Sequence, residues 1–264
     1  MTQSIIPQNR LKRLLQQNQP AVGTMLVEIR QPSIMQVLSN AGFDFVIIDG
    51  EHGPFSIETI ADLTRAARQV NVTPIVRVPE ITYTAITQSL DAGAQGIMIP
   101  RVTEPKHVES ALQYMKYPPI GKRGSVLARG HTEFKVGDLR NALKTLNDES
   151  MLIVQIETKE AAENLDAILS IEGVDAALVG PTDLTVAFDK HGNFADPHIK
   201  ATIENVVTSC RQHGVIPAIH MNELDQALTW AANGMRMVSF NSEIGLLTMT
   251  GRQSSASLRN AFPK

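Results

Sequence analysis

Acidic side chains follow two apolar segments of the chain at positions suited to holding a cation. Glu157 ends the run MLIVQIE, and Asp183 stands three residues after the run VDAALVG. If these runs are neighbouring strands, which lie about 4.8 Å apart, both carboxylates can reach one ion. Oxygen ligands favour Mg²⁺ or Mn²⁺, with substrate oxygens and water in the remaining positions. Two helix caps or salt-bridge partners would show the same spacing, and the residues alone leave that alternative open.

A cationic and a titratable side chain occupy comparable positions elsewhere. Arg77 interrupts the apolar run PIVRV, where a buried guanidinium must find an anion. A substrate carboxylate would fit its bidentate fork, and a structural Asp or Glu would fit it equally well. His52 lies three residues after Asp49. It could be a base oriented by that carboxylate, or only a polar residue of the turn Gly-Glu-His-Gly.

The elements that would position these residues are eight short runs rich in Val, Ile, Phe and Met. They span 22–27, 43–49, 74–78, 96–100, 151–157, 174–180, 215–220 and 236–240. Most are continuously apolar, which is typical of parallel strands covered on both faces. Segments with helical spacing lie between them, as at Ile57, Ile60 and Leu63. The pattern predicts an α/β protein with one (β/α)8 barrel domain over residues 1–264.

Two further features bear on this fold. A doubly wound open sheet would require a glycine-rich turn after the first strand, whereas residues 28–30 are Glu, Ile and Arg. The connection 117–150 is too long and too polar for a plain loop, and its second half could form a helix.

In a barrel, the residues that follow each strand converge on one mouth, formed by the carboxyl ends of the strands. Each polar residue there could be solvated or could cap a helix, but together they predict a polar site at the mouth. They are Asp49, Glu51, His52, Arg77, Arg101, Glu157, Asp183, His220, Asn241 and Glu243.

Composition excludes several classes of protein. A chain of 264 residues needs no disulfide or structural metal to fold, and the single cysteine, Cys210, suits a reducing compartment. Lys and Arg number 24 against 27 Asp and Glu, without a basic tract, which argues against nucleic acid as a partner. No apolar run approaches the roughly 20 residues of a membrane helix, and the N-terminus is polar. We therefore expect a cytoplasmic protein that does not bind membranes.

Covalent catalysis is also disfavoured. A Schiff-base aldolase requires a lysine inside a strand, and none of the eight runs contains one; Lys159 is the nearest. The chain lacks a G-x-S-x-G nucleophile elbow, and Cys210 lies in a helical segment.

Six segments carry a resemblance to a known family. FVIIDGEHGPF, IVRVP, LDAGAQGIMIPRV, YPPIGKRG, VQIET and LVGPTDL occur in the order and at the spacing of the HpcH/HpaI aldolase family, and DPHI at 196–199 is also similar. These are metal-dependent class II aldolases of the phosphoenolpyruvate/pyruvate barrel superfamily. The resemblance spans nearly the whole chain.

The resemblance implies a role for particular residues. It implies that Glu157 and Asp183 bind a divalent metal, Mg²⁺, Mn²⁺ or Co²⁺, and that Arg77 grips the pyruvate moiety. His52 and Asp49 would form an acid/base dyad. Further positions implied are Asp91 near the subunit interface and the backbone of Gly180, Pro181 and Thr182 at the keto acid. The family further implies a modified barrel whose last helix is exchanged between subunits, in a hexamer built as a trimer of dimers.

Two segments depart from the family pattern, at 128–131 and 241–243, and we expect both at the mouth. The expected reaction is reversible cleavage of a 4-hydroxy-2-oxo acid to pyruvate and an aldehyde. The departures leave two alternatives open. One is a citrate-synthase-like or other Claisen-type lyase that uses oxaloacetate or acyl-CoA. The other is a keto-acid-binding or assembly protein without turnover.

Overall fold

Eight parallel strands close into a barrel in a computed structural model that describes residues 6–263. The strands are β1 (Ala21–Leu26), β2 (Phe45–Asp49), β3 (Thr73–Arg77), β4 (Gly96–Ile99), β5 (Met151–Ile156), β6 (Ala176–Val179), β7 (Ile216–Met221) and β8 (Met237–Ser242). Each strand pairs with the next along the chain, and β8 pairs with β1. The predicted (β/α)8 barrel is confirmed, and every predicted strand is present with ends within two residues.

Helices alternate with the strands around the outside. They are α1 (Arg10–Gln16), α2 (Ile34–Asn40), α3 (Ile57–Gln69), α4 (Tyr83–Ala92), α5 (Pro105–Met115), α6 (Leu139–Glu149), α7 (Lys159–Glu163), α8 (Leu165–Leu169), α9 (Pro181–Ala187), α10 (Pro197–His213), α11 (Leu224–Ala232) and α12 (Glu243–Ala261). The expected helix in the second half of 117–150 is α6, whose N-terminus is capped by the Asp138 side chain.

The core has two layers because successive strand residues point to opposite faces. Phe45, Ile47 and Ile75 fill the barrel interior, whereas Ile48 and Val76 pack outward against the helices. Both faces of β2 to β6 are buried along their whole length, which explains why those runs are almost continuously apolar. Towards the mouth, the interior positions become polar.

The last helix differs from the others in its packing. Glu243 is the buried residue of α12, and every residue from Leu247 to the end of the helix is exposed. The exposed residues include large apolar side chains, Leu247, Met249 and Leu258. In the part of the chain that the structure covers, no helix has the length and apolar character needed to span a membrane.

Candidate active site at the barrel mouth

Arg77 is held by a carboxylate from the neighbouring strand. Asp49 and Arg77 lie opposite each other at the ends of β2 and β3. Nε of Arg77 donates to Oδ1 of Asp49 at 2.9 Å, and Nη2 donates to Oδ2 at 2.7 Å. Nη1 lies 3.1 Å from the Glu51 carboxylate. Burial alone would lower the pKa of Arg77, but the contacts with Asp49 outweigh it and raise that pKa.

This pairing changes the expected partner of His52. The Asp49 carboxylate accepts the backbone N–H groups of Glu51 and His52, at 3.1 and 3.2 Å, and does not contact the His52 ring. The chain turns tightly after β2, so the imidazole projects outward with 69% of its side chain exposed. Among the described residues, no hydrogen bond joins the His52 ring to Asp49, so the pairing of these two residues as an acid/base dyad stays a prediction. The nearest acidic atom to the ring is Oε2 of Glu51 at 3.9 Å.

Glu157 is a buried carboxylate with little compensation for its charge. Its Oε1 accepts the backbone N–H of Arg101 at 2.6 Å, and its Oε2 accepts the Gln155 side chain. Burial raises the pKa of Glu157 to about 7, and the nearby carboxylates of Asp183 and Glu51 act in the same direction.

A cleft of about 200 Å³ opens at the mouth. Its polar lining consists of Glu51, His52, Arg101, Glu157, Thr158 and Asp183, whereas Arg77 and Asp49 do not line it. A cation between Glu157 and Asp183 would favour the ionised form of Glu157, which burial and the Asp183 charge disfavour, so the donor set fits a hard divalent ion. Within residues 6–263, no three His, Cys, Asp or Glu side chains form a ready metal cage. Water or substrate would therefore supply the other ligands.

The segment Gly180–Thr182 connects β6 to α9 beside Glu157. A Cβ on Gly180 would lie 2.9 Å from Nε2 of Gln155 and 3.0 Å from Oε2 of Glu157, so only glycine fits there without displacement. Pro181 has no N–H, and no side chain caps the N-terminus of α9. Of the three residues of this segment that were predicted to bind substrate, Gly180 and Thr182 have a backbone N–H. The Gly180 N–H is bound to the Ile156 carbonyl.

Sequence reasoning named His220 but missed two polar residues inside the barrel. Gln155 holds Glu157, and its own Oε1 is buried without a partner among the described residues. Ser239 lies opposite His220 across β7 and β8, with its Oγ 2.9 Å from Nδ1 of the ring. Burial lowers the pKa of His220 to about 4, so the ring is neutral at physiological pH. The signal that singled out Arg77, a polar residue within an apolar run, would have found both missed residues.

Glu243 lies on the mouth side, directly after β8, but it does not line the cleft. Its buried carboxylate accepts the backbone N–H groups of Val27, Glu28 and Ile29 and fixes the loop after β1 to the start of α12. The expectation that 128–131 lies at the mouth is wrong, because the 3-10 turn Gly130–Thr132 lies at the opposite end of the barrel.

The location of that turn follows from its contacts. Gly130 packs against the carbonyl of Ala92, the last residue of α4, and its own carbonyl accepts from Arg68 in the last turn of α3. Helices run back from the mouth, so their carboxyl ends mark the amino face of the barrel. The Asp91 side chain is 27% exposed and forms an ion pair with Arg123, which lies in the loop between α5 and the 3-10 turn. The position of Asp91 at a subunit interface stays a prediction.

Comparison with known proteins agrees with this geometry. The sequence model of the HpcH/HpaI aldolase/citrate lyase family matches residues 24–247. The chain belongs to that family. As a member of the HpcH/HpaI family, it is a carbon–carbon lyase.

Relatives and a solved structure match the HpcH/HpaI chain over almost its full length. A hydroxypyruvate/pyruvate aldolase of Roseobacter denitrificans is 32% identical, with 95% of this chain and 97% of the relative covered. A 4-hydroxy-2-oxo-heptane-1,7-dioate aldolase of Escherichia coli is 32% identical, with 94% of each covered. The crystal structure of an HpcH/HpaI aldolase from Desulfitobacterium hafniense has a TM-score of 0.91 at 29% identity, covering 96% of this chain and 97% of that one.

Proposed function

We propose that this chain is a divalent-metal-dependent class II aldolase that reversibly cleaves a 4-hydroxy-2-oxo acid into pyruvate, or a close relative of it, and an aldehyde. The observation that carries the proposal is the cleft that brings the buried carboxylate of Glu157 together with Asp183 and the exposed imidazole of His52. The similar proteins named above as pyruvate and 4-hydroxy-2-oxo acid aldolases support the substrate class.

Glu157 and Asp183 would hold Mg²⁺, Mn²⁺ or Co²⁺. Such an ion supplies Lewis-acid polarisation of the keto-acid carbonyl when it is bound. Gln155 and the backbone of Arg101 orient the Glu157 carboxylate by hydrogen bonds to its two oxygens. Gly180 leaves room beside that carboxylate for a ligand to approach. We assign Gly180, Pro181 and Thr182 to the wall against which the keto acid lies.

Arg77 retains donors for the substrate despite its protein partners. An arginine has five N–H groups; Arg77 donates one from Nε and one from Nη2 to Asp49, and its Nη1 forms an ion pair with Glu51 at 3.1 Å. One N–H on each terminal nitrogen is left to bind the keto-acid carboxylate. Asp49 therefore acts as a positioning residue for Arg77.

His52 is the candidate general base. In the cleavage direction its imidazole takes the proton of the C4 hydroxyl, the bond between C3 and C4 breaks, and the electron pair passes to the keto-acid half. A proton added at C3 then completes pyruvate, and C4 leaves as the aldehyde. Histidine is the side chain that enzymes use most often as a general base.

The subunit arrangement proposed is a hexamer, a trimer of dimers, in which α12 is exchanged between subunits. The support is the exposure of α12 from Leu247 onward, which leaves Leu247, Met249 and Leu258 without cover in a single chain.

A coupled assay tests the proposed reaction. Pyruvate released from a panel of 4-hydroxy-2-oxo acids is followed with lactate dehydrogenase. Activity should vanish in EDTA and return with Mg²⁺, Mn²⁺ or Co²⁺. Glu157→Gln should weaken metal binding measured by calorimetry, whereas Glu163→Gln, an exposed residue on α7, should not. Full activity in chelator would refute the metal requirement. Citrate formed from oxaloacetate and acetyl-CoA, with no pyruvate from the panel, would favour the Claisen-type alternative.

A further inference from the structure

Arg101, the second residue after β4, has an unusual backbone conformation. Its φ is +53°, in the left-handed region. Glycine and asparagine enter this region readily, whereas a long side chain such as arginine is uncommon there. Strained residues of this kind persist where the surrounding structure holds them, and they cluster at functional sites.

The backbone contact explains the conformation but not the residue type. The Arg101 N–H donates to Oε1 of Glu157 at 2.6 Å, so the turn places one hydrogen bond on a predicted metal ligand. Glycine would make the same bond at lower conformational cost. The presence of arginine at this position therefore needs a reason that lies in its side chain.

The side chain has no partner in the described part of the chain. Arg101 is exposed and lines the cleft beside His52, Glu157 and Asp183. No hydrogen bond or ion pair joins its guanidinium to another of residues 6–263. Arg77, by contrast, is bound on three nitrogens by Asp49 and Glu51. Arg101 is thus the cation at the cleft with its full set of donors open to a ligand.

We propose that Arg101 binds an anionic oxygen group, a carboxylate or a phosphate, on the aldehyde half of the substrate, and so determines which aldehyde is used. This inference rests on the proposed aldolase function. The planar guanidinium matches the oxygens of either group through two parallel hydrogen bonds.

The location of Arg101 favours the aldehyde half over the keto-acid half. The keto acid belongs beside Glu157, Asp183 and Arg77. His52 acts on the hydroxyl of C4, the carbon that becomes the aldehyde, and it lines the same cleft as Arg101. We therefore expect atoms beyond C4 to lie near the exposed side chain of Arg101, which lines the cleft.

Condensation of pyruvate with matched aldehydes tests the proposal. Succinic semialdehyde is compared with butanal, and glyceraldehyde 3-phosphate with glyceraldehyde. The wild-type enzyme should prefer at least one charged member over its uncharged match. Arg101→Gln and Arg101→Gly should each reduce that ratio of kcat/KM roughly tenfold or more, the size of one charge-assisted contact at a partly exposed site. Whichever charged aldehyde shows the loss identifies carboxylate or phosphate as the ligand.

Two further variants sharpen the result. Arg101→Lys should recover part of the ratio, because it keeps the charge without the fork. Arg140→Gln, at an exposed position on α6, should change neither the ratio nor the activity. Arg101→Gly keeps the backbone bond to Glu157, so it separates the role of the guanidinium from that of the turn.

Other outcomes would overturn the inference. Equal losses with charged and uncharged aldehydes would show that Arg101 only offsets the acidic charge of the cleft. A wild-type enzyme that condenses uncharged aldehydes without preference would refute the inference and leave the proposed function intact. No condensation with any aldehyde would refute the proposed function, and this inference with it.

Discussion

At the scale of single residues, the pairing of Arg77 with Asp49 decides what each can do. A buried guanidinium without an anion would be costly, and the strand register supplies one from the protein itself. Burial would raise the pKa of Asp49, but the hydrogen bonds and charge of Arg77 outweigh it and lower that pKa. Asp49 therefore stays ionised and cannot act as a proton donor near neutral pH.

Asp49→Asn tests this assignment. The variant keeps one hydrogen bond to Arg77 but loses the charge and the two-oxygen geometry, so Arg77 should be misplaced. We expect the KM for the keto acid to rise roughly tenfold or more, in steady-state assays of cleavage. Asp62→Asn, which alters an exposed pair with Arg65 on α3, serves as the matched control. An unchanged KM together with a lowered kcat would contradict the positioning role.

His52→Ala tests the general base. Cleavage should fall roughly 10²–10⁴-fold, the usual contribution of a general base. Decarboxylation of oxaloacetate has no C4 hydroxyl to deprotonate and should suffer less. His213→Ala, at the far end of α10, provides the control. Equal losses in the two reactions would instead place His52 on the keto-acid side of the chemistry.

At the scale of elements, two long-range ties hold secondary structures in place. Glu243 at the start of α12 binds three backbone N–H groups of the loop after β1. Lys116, directly after α5, donates to the carbonyls of Asn147 and Ser150 and to the Ser150 hydroxyl at the end of α6. Both ties use a charged group as a multiple hydrogen-bond partner away from water.

Lys116 should make the stability of the protein depend on pH. Burial lowers its pKa from 10.5 to about 8, so between these values the unfolded state binds more protons than the folded state. The free energy of unfolding should therefore gain from Lys116 as pH rises from 8 to 10.5, by about 3 kcal/mol for such a shift. Below pH 8 this contribution is absent.

Chemical denaturation of the wild type and of Lys116→Met across this range measures the effect. Methionine has no group that titrates, so the free energy of unfolding of the wild type should rise relative to that of Lys116→Met as pH rises. Lys144→Met, on the same α6, controls for the removal of a lysine. Parallel pH profiles for wild type and Lys116→Met would show that Lys116 titrates alike in both states.

At the scale of the whole molecule, the barrel is complete but its last helix is not covered. A helix of 19 residues with Leu247 and Leu258 exposed on one face would place apolar area in water. In the proposed exchange of α12, a second copy of the chain covers these exposed leucines.

Leu247→Glu combined with Leu258→Glu should therefore disrupt assembly. Charges on this face would oppose its burial against a partner, and we expect a shift towards monomer in sedimentation velocity at micromolar concentration. Gln253→Glu, on the opposite face of α12, should leave the assembly intact. An unchanged oligomer in the double variant, or a monomeric wild type, would refute the exchange of α12.

The sequence by itself determined the barrel, because strands buried on both faces are apolar at most positions, and this pattern can be recognised without knowledge of contacts. It also placed Glu157, Asp183 and His52 at the mouth, since residues after parallel strands converge there. Glu243 also lies on that side, although it binds backbone N–H groups after β1 and does not line the cleft. The segment 128–131, which follows no strand, was wrongly expected at the mouth.

Only the tertiary structure decided which charges meet. The sequence could not choose between a substrate and Asp49 as the partner of Arg77, because that depends on the register of β2 against β3. It could not show that the turn after β2 directs the His52 ring away from Asp49, or that Arg101 lies in the cleft without a partner. Side-chain pairing depends on distances of a few ångströms between segments far apart in the chain. The hydrophobic pattern shows which residues are buried but not which buried charges contact each other.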